Sequence, residues 1–479
     1  LTALVGCATS VNPVTGRTDR GLMSDDDEIR SGRQIHQEVL KEYPPYKNVA
    51  LQSYVESVGK KLAAQSHRAN LPWTFTVVDS PEINAFAVQG GFIYMTRGLM
   101  AYLDSEAELA GVLGHEIGHV TARHGARAQR DQQIAAGTQL LGTLLGAALG
   151  GEAGANLGGQ LTGAYAQGGF LLPRSREHEL QADQLGAEYL QRVGFDPDVM
   201  VKVINVLKAQ EDFANDQARV AGRPTNSTPN WLRTHPSNEQ RLAEIRRIAD
   251  QYSGKYVDNG RSRYLAAING MTFGDSREHG VTRGQSFYHE PLGFTIRAPQ
   301  GWSIQNSPTE LGLVSNNMQA MVVVVLSPNS RGDHNAAIRA VLQPDQGRTQ
   351  SLTINGLRAT QFKGAKQARV IDAVVVSLGA NDYVFQKFRK AEAQGAMDRD
   401  IEDAVNSFRP LTAADVAVAK PYVLRTVSAP RGSAAYVELA RDVGRIAPQL
   451  RNPDGQVRLL NQAYPRGEPV PGQMVKTIQ

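Results

Sequence analysis

Gly114-His115-Glu116-Ile117-Gly118-His119 lies in an apolar run that opens near Ser105 and closes near Gly125. Ser105 followed by Glu108 has the form of a capping box, and Leu109, Val112, Leu113, Ile117 and Val120 recur at helical spacing. The run predicts a helix on which His115 and His119 share one face. Two imidazoles one turn apart can bind the same tetrahedral Zn²⁺, while Glu116 beside them can take a proton from water held by the metal. A three-residue pattern of this kind also arises by chance in about one or two chains per hundred of this length. The rest of the site must come from elsewhere in the chain.

A catalytic zinc site needs three protein ligands and one open position. Downstream, Ser175-Arg176-Glu177-His178-Glu179-Leu180-Gln181-Ala182-Asp183 opens a second helix that runs through Leu185, Tyr189 and Leu190. Glu179 and Asp183 fall on one face of it. The first can coordinate zinc and the second can accept the free ring N–H of a ligating histidine; equally, paired carboxylates on a helix often form a plain solvated face.

These motifs, with Asn84-Ala85-Phe86-Ala87, Gly90-Gly91, Thr234-His235-Pro236 and Arg241, resemble the gluzincin metallopeptidases of the BepA and HtpX type, metallopeptidase family forty-eight, over roughly Asp25 to Asp250. The resemblance implies His115, His119 and Glu179 as zinc ligands, Glu116 as general base and Asp183 as the partner of His115. It also implies that His235 can occupy the open position of the zinc and hold the enzyme off, or swing out to help the reacting carbonyl. Arg241 matches a position expected near substrate or the developing oxyanion; an ordinary ion pair on the helix Asn238 to Asp250 is the alternative.

With 479 residues, 41% hydrophobic and 20% charged, the chain has room for two or three globular domains. A net charge of +4, with no basic block or aromatic ladder, argues against nucleic acid as a partner. Leu1 to Cys7 resembles the end of a bacterial lipoprotein signal, with Cys7, the sole cysteine, as the acylation site. Two or more acyl chains there would hold the protein to a membrane, and Ala8 after the cysteine favours the outer membrane.

Asp25 to Tyr43 and Tyr54 to Leu62 predict helices, and Pro72 to Val78 and Phe92 to Thr96 predict strands. In metallopeptidases of this build an exposed edge strand pairs with extended substrate beside the zinc helix. Phe86 and Phe92 are expected in the core. His124 falls off the ligand face of the first helix and is expected to be structural or on the surface. Between Ile134 and Phe170 glycine recurs every four residues, as in a mobile flap touching membrane or partner, or as in close helix packing. From about Lys255 the pattern changes to strands closed by helices, weakly similar to the PsbP/Mog-like fold. The tail resembles a degenerate LysM module.

The expected fold is α+β: residues 1–7 a lipoprotein signal remnant, 8–254 a mainly helical zincin-type peptidase domain with a small sheet, 255–412 a sandwich-like α+β accessory domain, and 413–479 a small LysM-like module. The expected activity is that of a zinc endopeptidase with one Zn²⁺ per chain, acting on unfolded or misassembled proteins at the periplasmic face of the bacterial outer membrane. A peptidoglycan or envelope partner for the C-terminal module is expected with it. The alternative is a non-proteolytic or self-inhibited assembly factor for outer-membrane proteins.

Overall fold

The computed structural model describes residues 8–12, 14–128, 175–220, 222, 235, 239–252, 254, 256, 258–327, 330–367 and 369–479. Cys7 and the glycine-rich segment 134–170 lie outside them. The chain divides into two compact units, Leu1–Met271 with Val423–Gln479, and Thr272–Tyr422. The units change over at 271/272 and 422/423, and residues 423–479 cluster with the first unit.

The first unit opens with an antiparallel hairpin, β1 (Ala8–Val11) and β2 (Thr18–Leu22). Helices α1 (Asp25–Glu42) and α2 (Val49–Ala63) follow, each started by a side-chain cap, Ser24 and Asn48. Strands β3 (Thr74–Val78), β4 (Ala85–Val88) and β5 (Phe92–Thr96) form a sheet of order β3-β5-β4, in which β4 is an edge. Phe86 and Phe92 are buried in a cluster with Val39, Tyr43, Val88 and Tyr94, so the sheet packs on α1 through its aromatics.

Thr96 caps α3 (Arg97–Tyr102), and Ser105 caps α4 (Glu106–Thr121), the helix of the histidine pair. The Ser105 hydroxyl accepts from Glu108 N–H, but the returning arm of Glu108 accepts from Asp104 N–H, one residue before the cap. After it come α5 (Arg176–Arg192), capped by Ser175, α6 (Val199–Val220), α7 (Glu239–Ala249) and α8 (Arg261–Ile268). No helix among the described residues is long and apolar enough to cross a membrane.

Helices α4 and α5 cross at small residues. A Cβ on Gly118 would lie 2.8 Å from the Ala182 carbonyl oxygen, and one on Gly186 would lie 3.0 Å from the His115 nitrogen. Glycine at these positions lets the two backbones touch, which puts Glu179 and Asp183 within side-chain reach of the histidines.

The second unit begins with β6 (Thr272–Phe273) and continues with β7 (Val281–Arg283), β8 (Ser286–His289) and β9 (Phe294–Arg297). Next come β10 (Trp302–Asn306), β11 (Glu310–Ser315), β12 (Ala320–Ser327) and α9 (His334–Leu342). The long strands β13 (Gln346–Ile354), β14 (Leu357–Lys366), β15 (Arg369–Leu378) and β16 (Asn381–Arg389) precede α10 (Asp398–Asn406), β17 (Arg409–Pro410) and α11 (Ala413–Val418). Seven strands form one antiparallel sheet, β10-β11-β12-β16-β15-β14-β13, and four form another, β17-β9-β8-β7. Alternation sorts the large sheet's faces: Val374, Val376 and Phe385 pack toward Phe287, Phe294 and Phe408, while Ala373, Val375 and Val384 pack toward α9.

The chain then returns through β18 (Tyr422–Ser428), α12 (Ala435–Ile446), α13 (Pro453–Leu460) and β19 (Met474–Ile478), with β18 and β19 antiparallel. This return segment docks on the stretch that launches the histidine helix. Buried Lys476 donates to the carbonyls of Ala101 and Leu103, Gln462 donates to Glu108, and Arg261 bridges Asp104 and the Met474 carbonyl.

Candidate metal centre

On α4, His115 and His119 point their Nε2 atoms at a common point, 3.0 Å apart. Glu179 of α5 closes on both, with Oε2 3.5 Å from His115 Nε2 and Oε1 3.3 Å from His119 Nε2. His235 completes the group: one donor atom from each of these four buried residues lies within 4.8 Å of all the others. Zinc bound tetrahedrally at roughly 2.0–2.2 Å sets its ligand atoms about 3.3–3.6 Å apart; the two Glu179 spacings fall in that range and the His115–His119 spacing is slightly shorter. Glu116, fully buried, faces His235 with Oε1 3.4 Å from Nε2.

The electrostatics favour a cation. Three buried carboxylates, Glu116, Glu179 and Asp183, meet one buried guanidinium, Arg241. Excess negative charge in a low-dielectric site is costly unless a cation offsets it, and a divalent metal does so. Burial opposes a proton on His115, but Asp183 and Glu179 outweigh it and raise its pKa to about 9. The same carboxylates stabilise a metal in the proton's place.

Each sequence-derived site residue among the described ones lies in this cluster or against it. His115 Nδ1 is 2.9 Å from Asp183 Oδ1. Burial pushes the Asp183 carboxyl up, yet Arg241 and His115 prevail and hold it well below the usual carboxylate range. Arg241 grips Asp183 with two nitrogens, at 2.8 and 2.9 Å, and reaches Glu179 Oε2 at 2.9 Å and the His235 carbonyl at 3.3 Å. These are the contacts of an ion-pair anchor that ties α7 and the His235 segment to the two carboxylates of α5. Its own charge is stabilised by Asp183 and Glu179 against burial.

Of the two expectations for His124, structural or on the surface, the structure agrees with the first. The residue is buried and its Nδ1 is 2.8 Å from His119 Nδ1. The helical wheel misplaces it because α4 stops at Thr121 and Arg123 takes a left-handed conformation, φ 57°, which swings His124 back toward the ligand. The one sequence signal was that apolar periodicity ends at Val120.

A small cavity of about 10 Å³ beside His119 is lined by Val120, Arg123 and Gly125 and by Ala87, Val88 and Gln89 at the end of the edge strand β4.

Comparison with known proteins agrees with this geometry. The chain is 34% identical over 273 residues to the beta-barrel assembly-enhancing protease of Escherichia coli K12, covering 56% of this chain and 53% of that protein. It is 30% identical over 238 residues to the mitochondrial metalloendopeptidase OMA1 of Schizosaccharomyces pombe, covering 49% of this chain and 64% of that one. The chain thus spans about half the length of the first of these relatives. The solution structure of cyanobacterial PsbP from Synechocystis is similar to 29% of the chain at 12% identity, covering 98% of that structure, with a TM-score of 0.21 that carries no argument. The profile of Peptidase family M48 matches residues 50–249, a span that contains His115, Glu116, His119, Glu179, Asp183, His235 and Arg241. Residues 50–249 of this chain are therefore similar to the peptidase domain of family M48.

Proposed function

We propose that the chain is a zinc-dependent endopeptidase that hydrolyses peptide bonds of unfolded or misassembled proteins. The observation that carries this reading is the buried set of four donor atoms with the Glu116 carboxylate beside it. His115, His119 and Glu179 would hold one Zn²⁺. When bound there, it supplies Lewis acidity that polarises a carbonyl and makes water a nucleophile near neutral pH. Glu116 takes the proton of the attacking water and delivers it to the leaving amine nitrogen, the work of a general base and then a general acid. β4 is an edge of its sheet, and an edge strand can hold substrate in extended form by main-chain hydrogen bonds.

A second reading is favoured by one observation, the presence of His235 in the donor set. With its imidazole in the fourth position the centre is shut, and the protein acts as a self-inhibited protease or an assembly factor for outer-membrane proteins. His235 then gates the site. The name of the Escherichia coli relative supports a role with beta-barrel proteins. Lipid on Cys7 would place the protein at the periplasmic face of the bacterial outer membrane. Residues 255–412 would be the PsbP/Mog-like accessory domain, and 413–479 a LysM-like module that meets peptidoglycan or an envelope partner.

The test is purified full chain incubated with an unfolded protein, with and without chelator, beside Glu116→Gln. Cleavage that stops with chelator, returns with Zn²⁺ and falls by about 10² or more in Glu116→Gln supports the reading. Chelator-insensitive cleavage, or full activity in Glu116→Gln, refutes it.

A further inference from the structure

The two histidines of α4 end on different chemistry at their far nitrogens. His115 meets a carboxylate, whereas His119 meets a second imidazole, His124. In a contact between two ring nitrogens one must donate and the other accept, and a neutral imidazole binds metal only through the nitrogen that carries no proton. The direction of that bond therefore decides whether His119 offers a lone pair to the metal.

The direction is set from the other end. Asn12, buried at the turn of the β1–β2 hairpin, accepts with its Oδ1 from the backbone N–H groups of Val14 and Thr15 at 2.8 and 3.0 Å. Its amide nitrogen must therefore be the atom that faces Gln181 Oε1, at 3.2 Å. On its other side Gln181 donates from Nε2 to the carboxylate of Glu177, a group that only accepts, at 3.2 Å. Both neighbours fix the same orientation of the Gln181 amide, oxygen toward His124 Nε2, 3.1 Å away. His124 must then carry its proton on Nε2 and accept on Nδ1. His119 in turn carries its proton on Nδ1 and leaves Nε2 bare toward the point where His115 and Glu179 converge. The His178 ring stacks on His124 at 4.1 Å and 19°, which holds the plane of the relay.

We infer that Asn12, Gln181 and His124 form a hydrogen-bond relay that locks His119 in its metal-binding tautomer, with His124 as the positioning residue. The inference rests on the reading of His115, His119 and Glu179 as metal ligands. It also makes the N-terminal hairpin, outside the family-matched residues 50–249, a working part of the centre.

The test measures affinity of the full chain for Zn²⁺ by competition with a chromogenic chelator. His124→Phe, which keeps a ring and removes the acceptor, should bind Zn²⁺ about 10–100-fold more weakly. His124→Gln, whose oxygen can accept from His119, should recover most of that loss. Gln181→Met, which leaves His124 and the ligands in place, should weaken binding by a smaller factor, and it carries the test if His124→Phe does not fold. A second readout is the proton on His119 Nδ1 in histidine-labelled, zinc-loaded protein. Its slowly exchanging resonance should be present in wild type and in His124→Gln and absent in His124→Phe. Wild-type affinity in folded His124→Phe, or in Gln181→Met if it alone folds, would overturn the relay, as would a His124→Gln no better than His124→Phe. Wild-type protein that takes up no Zn²⁺ would overturn the metal-ligand reading itself, and is told apart because no variant is then needed to see it.

Discussion

Glu179 closes on both histidines of α4, and its removal separates the metal sites cleanly. Glu179→Ala leaves two imidazoles and His235, and the expected result is loss of most bound zinc by elemental analysis, with equal metal in mutant and wild type refuting the ligand set. His235→Ala removes the residue proposed to shut the centre while the three proposed ligands stay. Cleavage is expected to rise severalfold at unchanged zinc occupancy; a slower enzyme with full zinc would instead show that His235 helps the reacting carbonyl. At this scale the sequence was a good guide wherever a residue's role depends on its own helix. The four-residue spacings of His115 with His119, and of Glu179 with Asp183, put on common faces the side chains that meet in the structure. It did not show that His124 turns back onto His119, because a single left-handed residue after a helix end has no signature in apolar periodicity.

Between elements, the centre depends on how closely α4 and α5 approach. Gly118 meets the Ala182 backbone, which cannot rotate away as a side chain could. Gly118→Ala is expected to force the helices apart by some tenths of an ångström or more, weakening zinc binding about tenfold or more while the protein stays folded. Affinity equal to wild type in that variant would show that the helices part without disturbing the ligands. The contact was not visible in the spacing of apolar residues, since glycine there reports on the neighbour rather than on its own helix. Elements themselves were legible in proportion to their burial. The strands Phe92–Thr96 and Arg369–Leu378 announce themselves by β-branched and aromatic runs. By contrast β13, Gln346-Gly347-Arg348-Thr349-Gln350-Ser351, is an edge strand exposed on both faces and carries no alternation to detect.

For the whole molecule, one buried base and one half-buried base make the units pH-sensitive in different windows. Burial lowers the Lys476 ammonium from 10.5 to about 8, so between those values the unfolded chain holds a proton that the folded one lacks. Stability of the first unit therefore rises as pH goes from 8 toward 10.5, by up to about 3 kcal/mol, and the rise should vanish in Lys476→Met. Hydrogen-exchange protection of α4 amides, corrected for intrinsic rates, measures it. In the second unit burial, reinforced by His279, lowers His289 from 6.5 to about 4. That unit should lose stability as pH falls from 6.5 to 4, less so in His289→Phe, as followed by unfolding in urea; equal acid sensitivity in both would refute the assignment. Sequence reading separated the α+β middle of the chain from the helical part, but could not see that residues 423–479 cluster with the first unit, because docking of one segment on a distant one leaves no periodic trace.

The docking of β19 and Lys476 on the start of α4 imposes an order in time. The metal ligands are made early, yet the stretch that launches their helix has its buried lysine only after residue 476 has left the ribosome. Until then the carbonyls of Ala101 and Leu103 lack their partner and the helix that carries Glu116 is under-supported. In a nascent chain the proposed metal ligands are therefore all made before the segment that supports the start of their helix, a segment that itself supplies no group to the centre.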